Sequence, residues 1–595
     1  MTTTPVMLFD YLLDRLTTQQ LLRPHYRRHA LAFVTGFVLL VAANGTAALI
    51  PYLMKLATEA LTGQQQQQVW WCGAGLIAAA ATSGCLRLWS RVHIFRIGRQ
   101  VEYDLRALYH AHLQRLPASF FDQAKTGDLV ARGTSDITAV RMFIGPGFLQ
   151  LCNTAMVYLT VLPVMIVLDP VLTLAALAPY PVVLLSARFL TQRLYRWSRQ
   201  VADRFGALSG FIQESIAGLS LLRTYHQESH WQQRFRAEMQ QFYHASVQHA
   251  RLQGLFGPMM VLNGGLSVWI ILTLGGNRIA RGELTVGDFV AFTGYLSLLI
   301  WPTVGFGWIL TILQRGLAAL NRLQQVISVS PDHPEQSVAS LSPDRGVAVT
   351  LSHLHFAFHA GQPAVLNNIS LTIEPGQFVG LVGRIGCGKS TLLHCLARLR
   401  PIADQTIFYQ GHCLNQISET ALRRQVAMVT QESFLFSRSI QDNLLYGRPD
   451  GDETMAWLAA EQACLDRDIR QMPQQMATLV GERGITLSGG QRQRMALARA
   501  LTLQRPLLLL DDIFSHVDAQ TEQRILTTLR QLPFHPTIVL VCHRIAALRL
   551  ADCIYVMDEG RIHDAGKHDD LLSRCELYQQ LHHQMARQEA LEILQ

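Results

Sequence analysis

The sequence predicts a two-part chain: an α-helical membrane domain of six transmembrane helices, followed by a soluble α/β domain of the P-loop type. Three observations carry that expectation. Apolar stretches long enough to span a bilayer are confined to residues 29–313. Residues 345–590 read as an ordinary soluble α/β chain. Within them, Gly383 to Ser390 reads G-x-x-x-x-G-K-S between a strand-like and a helix-like run.

The N-terminal segment 1–28 is polar, shows no cleavable signal pattern and enters a long span directly. A span needs about 20 mostly apolar residues. Candidates of low charge lie at 31–53, 69–90, 147–168, 171–190, 256–276 and 287–313. Asn44, Gly45 and Pro51 fall in the first, which a spanning helix tolerates when its neighbours satisfy the backbone. Asp169-Pro170 divides a very long apolar stretch into two spans joined by a tight hairpin.

Basic residues orient these spans. Arg23, Arg27 and Arg28 precede the first, and Arg87, Arg91, Arg96 and Arg99 follow the second. Arg188, Arg193, Arg196 and Arg199 follow the fourth, and Arg315 and Arg322 the sixth. The opposite loops are short: Lys55–Gln68 with its glutamine run, Asp169-Pro170, and Asn277–Glu283. By the positive-inside rule both termini lie in the cytoplasm, as in a multi-pass inner-membrane protein. The same flanks account for the formal charge of +8, and no basic stripe interleaved with aromatics points to nucleic acid. The ten cysteines show no C-x-x-C spacing and read as small buried hydrophobes.

Residues 91–146 and 191–255 are polar and helical in pattern, so spans 2–3 and 4–5 are expected to extend beyond the bilayer and close in turns. Phe120–Asp136 and Ala217–Glu228 are the candidate turns, suited to contact a cytoplasmic domain. A solvated hairpin with no partner satisfies the spacing equally well. Pro331, Asp332, Pro334 and Ser340–Asp344 then break periodicity. The expected domains are therefore 1–28, a membrane domain at 29–325, a linker at 326–347 and an ATP-binding domain at 348–590.

In that last domain, Val379–Val382 is a buried-strand run leading into Gly383, Arg384, Ile385, Gly386, Cys387, Gly388, Lys389, Ser390 and Thr391, with Leu392–Leu399 helical behind them. Glycines let backbone N–H groups turn inward around phosphates at a helix N-terminus. Lys389 is expected to reach the β- and γ-phosphates of ATP and the Ser390 hydroxyl to ligate Mg²⁺. Leu507–Leu510 is a second buried strand, ending in Asp511 and Asp512, with Asp511 the expected Mg²⁺-side carboxylate. Together they imply an ATPase or GTPase.

Leu487-Ser488-Gly489-Gly490-Gln491 opens an Arg-rich helix ahead of that acidic strand. With it the chain resembles the ATP-binding-cassette (ABC) exporters, over essentially its whole length. Gln431 resembles the family's lid glutamine, which touches Mg²⁺, and Gly481–Gly484 the short motif ahead of the exporter signature. Ser515–Asp518 matches the D-loop, ending on Asp518, and His543 the switch histidine that hydrogen-bonds the γ-phosphate. Phe358 occupies the place of the adenine-stacking aromatic, usually tyrosine, keeping the π face without the hydroxyl.

The resemblance implies ATP sandwiched between two cassettes, the phosphate loop of one facing the LSGGQ of the other. One cassette and six spans make a half-transporter that must pair with a second half. Where the family's catalytic glutamate belongs, this chain carries Asp512, one methylene shorter. A base that stops about 1 Å short of its water can lose orders of magnitude in rate. With LSGGQ intact, that combination resembles one half of a heterodimer, similar to the multidrug-resistance-like half-transporters of Gram-negative bacteria. Its own site would be degenerate and its signature would serve the partner's. A homodimer in which aspartate works slowly is the alternative.

The expected activity is ATP-driven export of an amphipathic or hydrophobic small molecule or lipid across the bilayer. Import of a metal–siderophore compound on the same fold, and a membrane-anchored regulatory ATPase, are the other readings. Asn44, Asn153 and Asn263, with no charge cluster inside the spans, suit an uncharged or lipophilic cargo.

Overall fold

The structure is a computed structural model that describes residues 23–330, 346–359, 361–481 and 484–594. Most of the expected N-terminal segment and linker, and Glu482 and Arg483 of the motif ahead of the signature, lie outside the described residues. The chain divides into two compact units, Met1–Gln114 with Thr126–Val329, and Arg115–Lys125 with Ser330–Gln595.

The first unit is helical. Helices Arg23–Thr62 and Gln66–Leu113 pair along their length, and the second, 48 residues long, measures about 72 Å at 1.5 Å per residue. That is more than twice a hydrocarbon core of about 30 Å, so these helices do run past the bilayer. Among the described residues, five helical runs are long and apolar enough to cross it: Ala30–Thr62, Gln66–Leu113, Thr126–Leu168, Glu228–Ala280 and Val286–Ile327.

The expected fourth span, 171–190, falls on helix Pro170–Leu177 and the first turns of Pro179–Ala217, and Pro170–Val182 reads as a shorter apolar helix among the described residues. Pro179 and Pro181 supply no backbone N–H, and the helix breaks at Ala178 ahead of them. The hairpin before it has the expected form. Asp169 caps helix Pro170–Leu177, its Oδ1 accepting from the Val171 and Leu172 N–H groups at 2.9 Å each, with Pro170 at the first helical position.

Two of the three intramembrane asparagines find each other. Asn44 Nδ2 donates to Asn153 Oδ1 at 3.2 Å and to the Leu40 carbonyl at 3.0 Å. Their amides tie the helix Arg23–Thr62 to Phe148–Leu168, a structural use of polarity in an apolar surround.

The second unit holds two sheets and the short helix Ala118–Gln123. β1 (Val349–Phe356), β2 (Leu366–Ile373), β4 (Ile407–Tyr409) and β5 (His412–Cys413) form an antiparallel sheet in the order β2-β1-β4-β5. The main sheet runs β10-β9-β3-β8-β7-β6, with β3 (Phe378–Gly383), β6 (Val426–Val429), β7 (Leu507–Asp511) and β8 (Thr537–Val541) parallel to β9 (Cys553–Asp558) and β10 (Arg561–Gly566) antiparallel at the edge. β3, β7 and β8 are buried at every position, which is why they read as unbroken apolar runs. Leu507–Leu510 have no exposed surface, each contributing about 1.5–3 kcal/mol of burial.

Candidate functional site

Register brings the expected site residues to one edge of the main sheet. Leu381 pairs with Val541, Asp511 with Val541, and Val429 with Leu510. The C-terminal ends of β3, β8, β7 and β6 therefore lie side by side, where open parallel sheets bind ligands. From them issue the loop Gly383–Gly388, His543, Asp512 and Gln431 respectively.

Gly386 and Gly388 hold φ of +80° and +101°, and a Cβ at Gly388 would press on Leu366 Cδ2 at 2.8 Å, so the loop needs glycine there. Helix Lys389–Leu396 starts directly behind it. The Lys389 ammonium is buried and donates to the carbonyls of Gly383 at 2.8 Å and Arg384 at 2.9 Å. Arg384 and Ile385 project outward at the tip of the loop, Cys387 is buried beneath it, and Ser390 and Thr391 are half-buried in the first helical turn.

The Ser390 hydroxyl stands beside the Asp511 carboxylate and favours its charged form. Burial pushes that carboxyl above its usual range, against the pull of Ser390, His394 and Lys389. Asp512, next in the chain, turns into the left-handed region at φ +48°, which aspartate tolerates better than most side chains. Its N–H donates to the Val541 carbonyl at 3.0 Å, and its Oδ2 accepts from Gln431 Nε2 at 3.2 Å. His543 is half-buried; burial and then the neighbouring Lys389 hold its imidazole below the ordinary value, with Asp512 and Asp511 opposing. These mutual influences place Lys389, Ser390, Asp511, Asp512 and His543 in one cluster.

The LSGGQ residues sit at another place in the unit. Leu487 is buried, and Ser488 caps helix Gly489–Thr502 in a reciprocal box: Gln491 N–H donates to Ser488 Oγ at 3.2 Å and Ser488 N–H to Gln491 Oε1 at 3.0 Å. A Cβ on Gly490 would collide with the His516 carbonyl oxygen, so the D-loop backbone fixes glycine there, and Gly489 packs on the His516 ring. Asp518 caps helix Ala519–Arg530 by accepting from Thr521 N–H at 2.9 Å, which holds its carboxyl below the usual range.

Phe358 is 42% exposed, with Phe356 edge-on at 5.2 Å. One of its faces is covered: Arg400 Cζ lies 5.2 Å from the ring centroid.

Sequence reasoning passed over Gln493 and Arg400. Gln493 is buried on the signature helix and bonds Ser515 Oγ and the His516 N–H, joining the two motifs. The one signal for it was a polar residue on an otherwise apolar helix face. Nothing in the spacing signalled Arg400.

Residues 33–303 match the ABC transporter transmembrane region and residues 366–515 the ABC transporter domain. A probable multidrug resistance ABC transporter ATP-binding/permease protein, YheI of Bacillus subtilis, is 32% identical over 93% of this chain and 95% of its own. The multidrug resistance-like ATP-binding protein MdlA of Escherichia coli is 30% identical over 96% of each. A bacterial Atm1-family ABC exporter with ATP bound superposes with a TM-score of 0.76, at 26% identity, over 95% of this chain and 98% of its own. Matched end to end in sequence and in fold, this chain belongs to the ABC transporter family, as a membrane-spanning exporter that carries one transmembrane region and one cytoplasmic ATP-binding cassette.

Proposed function

We propose that the chain is one half of a heterodimeric exporter, its own phosphate loop forming a slow, ATP-retaining site and its LSGGQ helix completing a faster site on the partner. One observation carries this reading: the residue after the Asp511 strand is Asp512, whose short carboxylate is engaged by Gln431 at 3.2 Å. A carboxylate one methylene shorter than glutamate, and already occupied, is poorly placed to activate water.

In this reading Lys389 leaves the Gly383 and Arg384 carbonyls to bind the β- and γ-phosphates, and the loop N–H groups hold the rest of the charge. His543, kept neutral by burial, donates to the γ-phosphate without adding a positive charge. Ser390, Asp511 and Gln431 offer hydroxyl, carboxylate and amide oxygens, the hard donor set that suits Mg²⁺. The buried Asp511 carboxyl, raised by desolvation, is a group that a cation would keep ionised. Bound there, Mg²⁺ supplies charge neutralisation at the phosphates. Phe358 stacks the base and Asp518 contributes to the contact between cassettes.

The cargo is an amphipathic or hydrophobic molecule (drug, lipid or peptide-like). Relatives named for multidrug resistance support that class, as does the use of Asn44 and Asn153 to join two helices. The test is to purify the chain alone and with the half-transporter that copurifies with it, and to compare ATP turnover across candidate substrates. Low activity alone and substrate-stimulated activity in the pair are expected. A brisk ATPase from the isolated homodimer sinks the heterodimer reading.

A further inference from the structure

Helix Ala118–Gln123 belongs to the same compact unit as the cassette, and one of its side chains reaches the neighbourhood of Phe358. Asp122 forms a two-pronged ion pair with Arg400, Nη2 to Oδ1 measuring 3.3 Å and Nη1 lying against Oδ2. The Arg400 side chain is 13% exposed, so the pair is largely shielded on the arginine side. The same guanidinium stands 5.2 Å from the Phe358 centroid, over the ring. Beside it, Gln123 Nε2 contacts His359 Nδ1 at 3.5 Å, adding a second link to the residue after Phe358.

An arginine fork held by a carboxylate has few orientations open to it. A guanidinium laid on an aromatic face restricts the ring in turn, through the ring quadrupole and shape. Phe358 is otherwise exposed, with Phe356 meeting it edge-on, and would sample several rotamers if Arg400 were absent. Arg400 also acts on His394 of the helix behind the phosphate loop, whose imidazole is lowered first by burial and next by this charge.

We propose that Asp122 and Arg400 are a positioning pair that holds the Phe358 ring ready for the adenine base. Base binding and the seating of helix Ala118–Gln123 on the cassette are thereby coupled. Coupling of this kind is reciprocal: a base that tightens the Phe358–Arg400 contact tightens Arg400 on Asp122 by the same factor. The segment between the second and third membrane runs then responds to the base, in addition to anything the phosphates do. This inference rests on Phe358 being the base-stacking aromatic, and its test separates the two claims.

The full-length chain is assayed for ATP and for inorganic tripolyphosphate, which has the phosphates and no base. Phe358→Ala is expected to weaken ATP binding and leave tripolyphosphate binding alone. Arg400→Ala and Asp122→Asn are each expected to weaken ATP binding about threefold or more, the effect of a cation–π contact, with tripolyphosphate unchanged. Arg400→Lys keeps a cation and is expected to retain part of the affinity. Neither Arg400→Ala nor Asp122→Asn should add to Phe358→Ala, because they act through the ring. If Phe358→Ala weakens ATP binding while Arg400→Ala and Asp122→Asn do not, the positioning pair is refuted and the stacking role survives. If Phe358→Ala has no base-dependent effect, the stacking role itself is lost and the pair with it. Equal weakening of both ligands by Arg400→Ala also overturns the proposal, since it marks a disturbed phosphate site.

Discussion

Gln493 Nε2 donates to Ser515 Oγ at 2.6 Å while its Oε1 accepts from the His516 N–H at 3.1 Å. One buried amide thus joins helix Gly489–Thr502, which in the proposed function completes the partner's site, to the turn that follows Asp512. Gln493→Ala leaves a part-buried N–H and a hydroxyl without their partner, a loss of about 1–3 kcal/mol. If half of that falls on the hydrolytic geometry, turnover of the assembled dimer drops roughly two- to tenfold. ATP affinity at this chain's phosphate loop should not change. Steady-state ATPase assays with parallel nucleotide binding check both halves; an unaltered rate would mean that the tether carries nothing between motifs.

Asp512→Glu tests the degenerate site directly. The longer side chain restores about 1 Å of reach, for which a gain on the order of tenfold in turnover is expected. Glutamate is less at ease at φ +48° than aspartate, so the gain comes with a small loss of thermal stability. Single-turnover hydrolysis at this chain's site reads the rate apart from the partner's. No increase there would remove reach as the reason for slow chemistry.

Much of this site was legible because its geometry follows from local rules. Buried parallel strands must be apolar throughout, so Val379–Val382 and Leu507–Leu510 declare themselves, and the residues at their C-terminal ends must fall on one sheet edge. Gly388 is fixed by its own backbone angle, a local demand, whereas the close approach that fixes Gly490 comes from His516 in another loop. What stayed hidden depends on how elements rotate and pack. Gln493 facing Ser515, and Arg400 lying between Asp122 and Phe358, join positions far apart in the chain. The break at Ala178 is subtler: Pro179 and Pro181 are plain in the sequence, but prolines are tolerated in membrane helices often enough to hide it.

Asn44 and Asn153 provide a case where packing changed the meaning of a residue. Read alone, they suited an uncharged or lipophilic cargo; bonded to each other at 3.2 Å, they serve helix association. Asn44→Ala should cost about 0.6 kcal/mol, the average for such bonds within membranes. The transporter should melt slightly earlier and respond to the same substrates in ATPase stimulation. A changed substrate profile with unchanged melting would put Asn44 back at a cargo site.

Four histidines of the cassette, His394, His543, His568 and His582, are all held below their ordinary value of 6.5 by burial. A lowered folded value means that the unfolded chain binds more protons as the pH falls below 6.5. Stability is therefore full above that value and is lost as the pH drops through it toward the folded values. Asp511, raised by burial, works in the opposite sense. Thermal melting of the protein from pH 8 to pH 5 should show a plateau and then a decline below about 6.5. A melting temperature that rises on acidification in that window would contradict the burial of these imidazoles.

Lys389 is the most demanding test of the phosphate loop, because its side chain has two occupations. Its ammonium donates to the Gly383 and Arg384 carbonyls at 2.8 and 2.9 Å, so it also braces the loop. Lys389→Ala then removes a phosphate ligand and a loop brace together. Hydrogen bonds to charged groups are worth about 1.5–3 kcal/mol, so ATP affinity should fall roughly ten- to a hundredfold. Lys389→Met keeps the stem and its packing without the charge, which separates the two effects. Both variants should lose nucleotide labelling at this chain's site to a similar extent, with Lys389→Ala losing more thermal stability. Labelling that persists in Lys389→Met would contradict the assignment of Gly383–Ser390 as the phosphate loop.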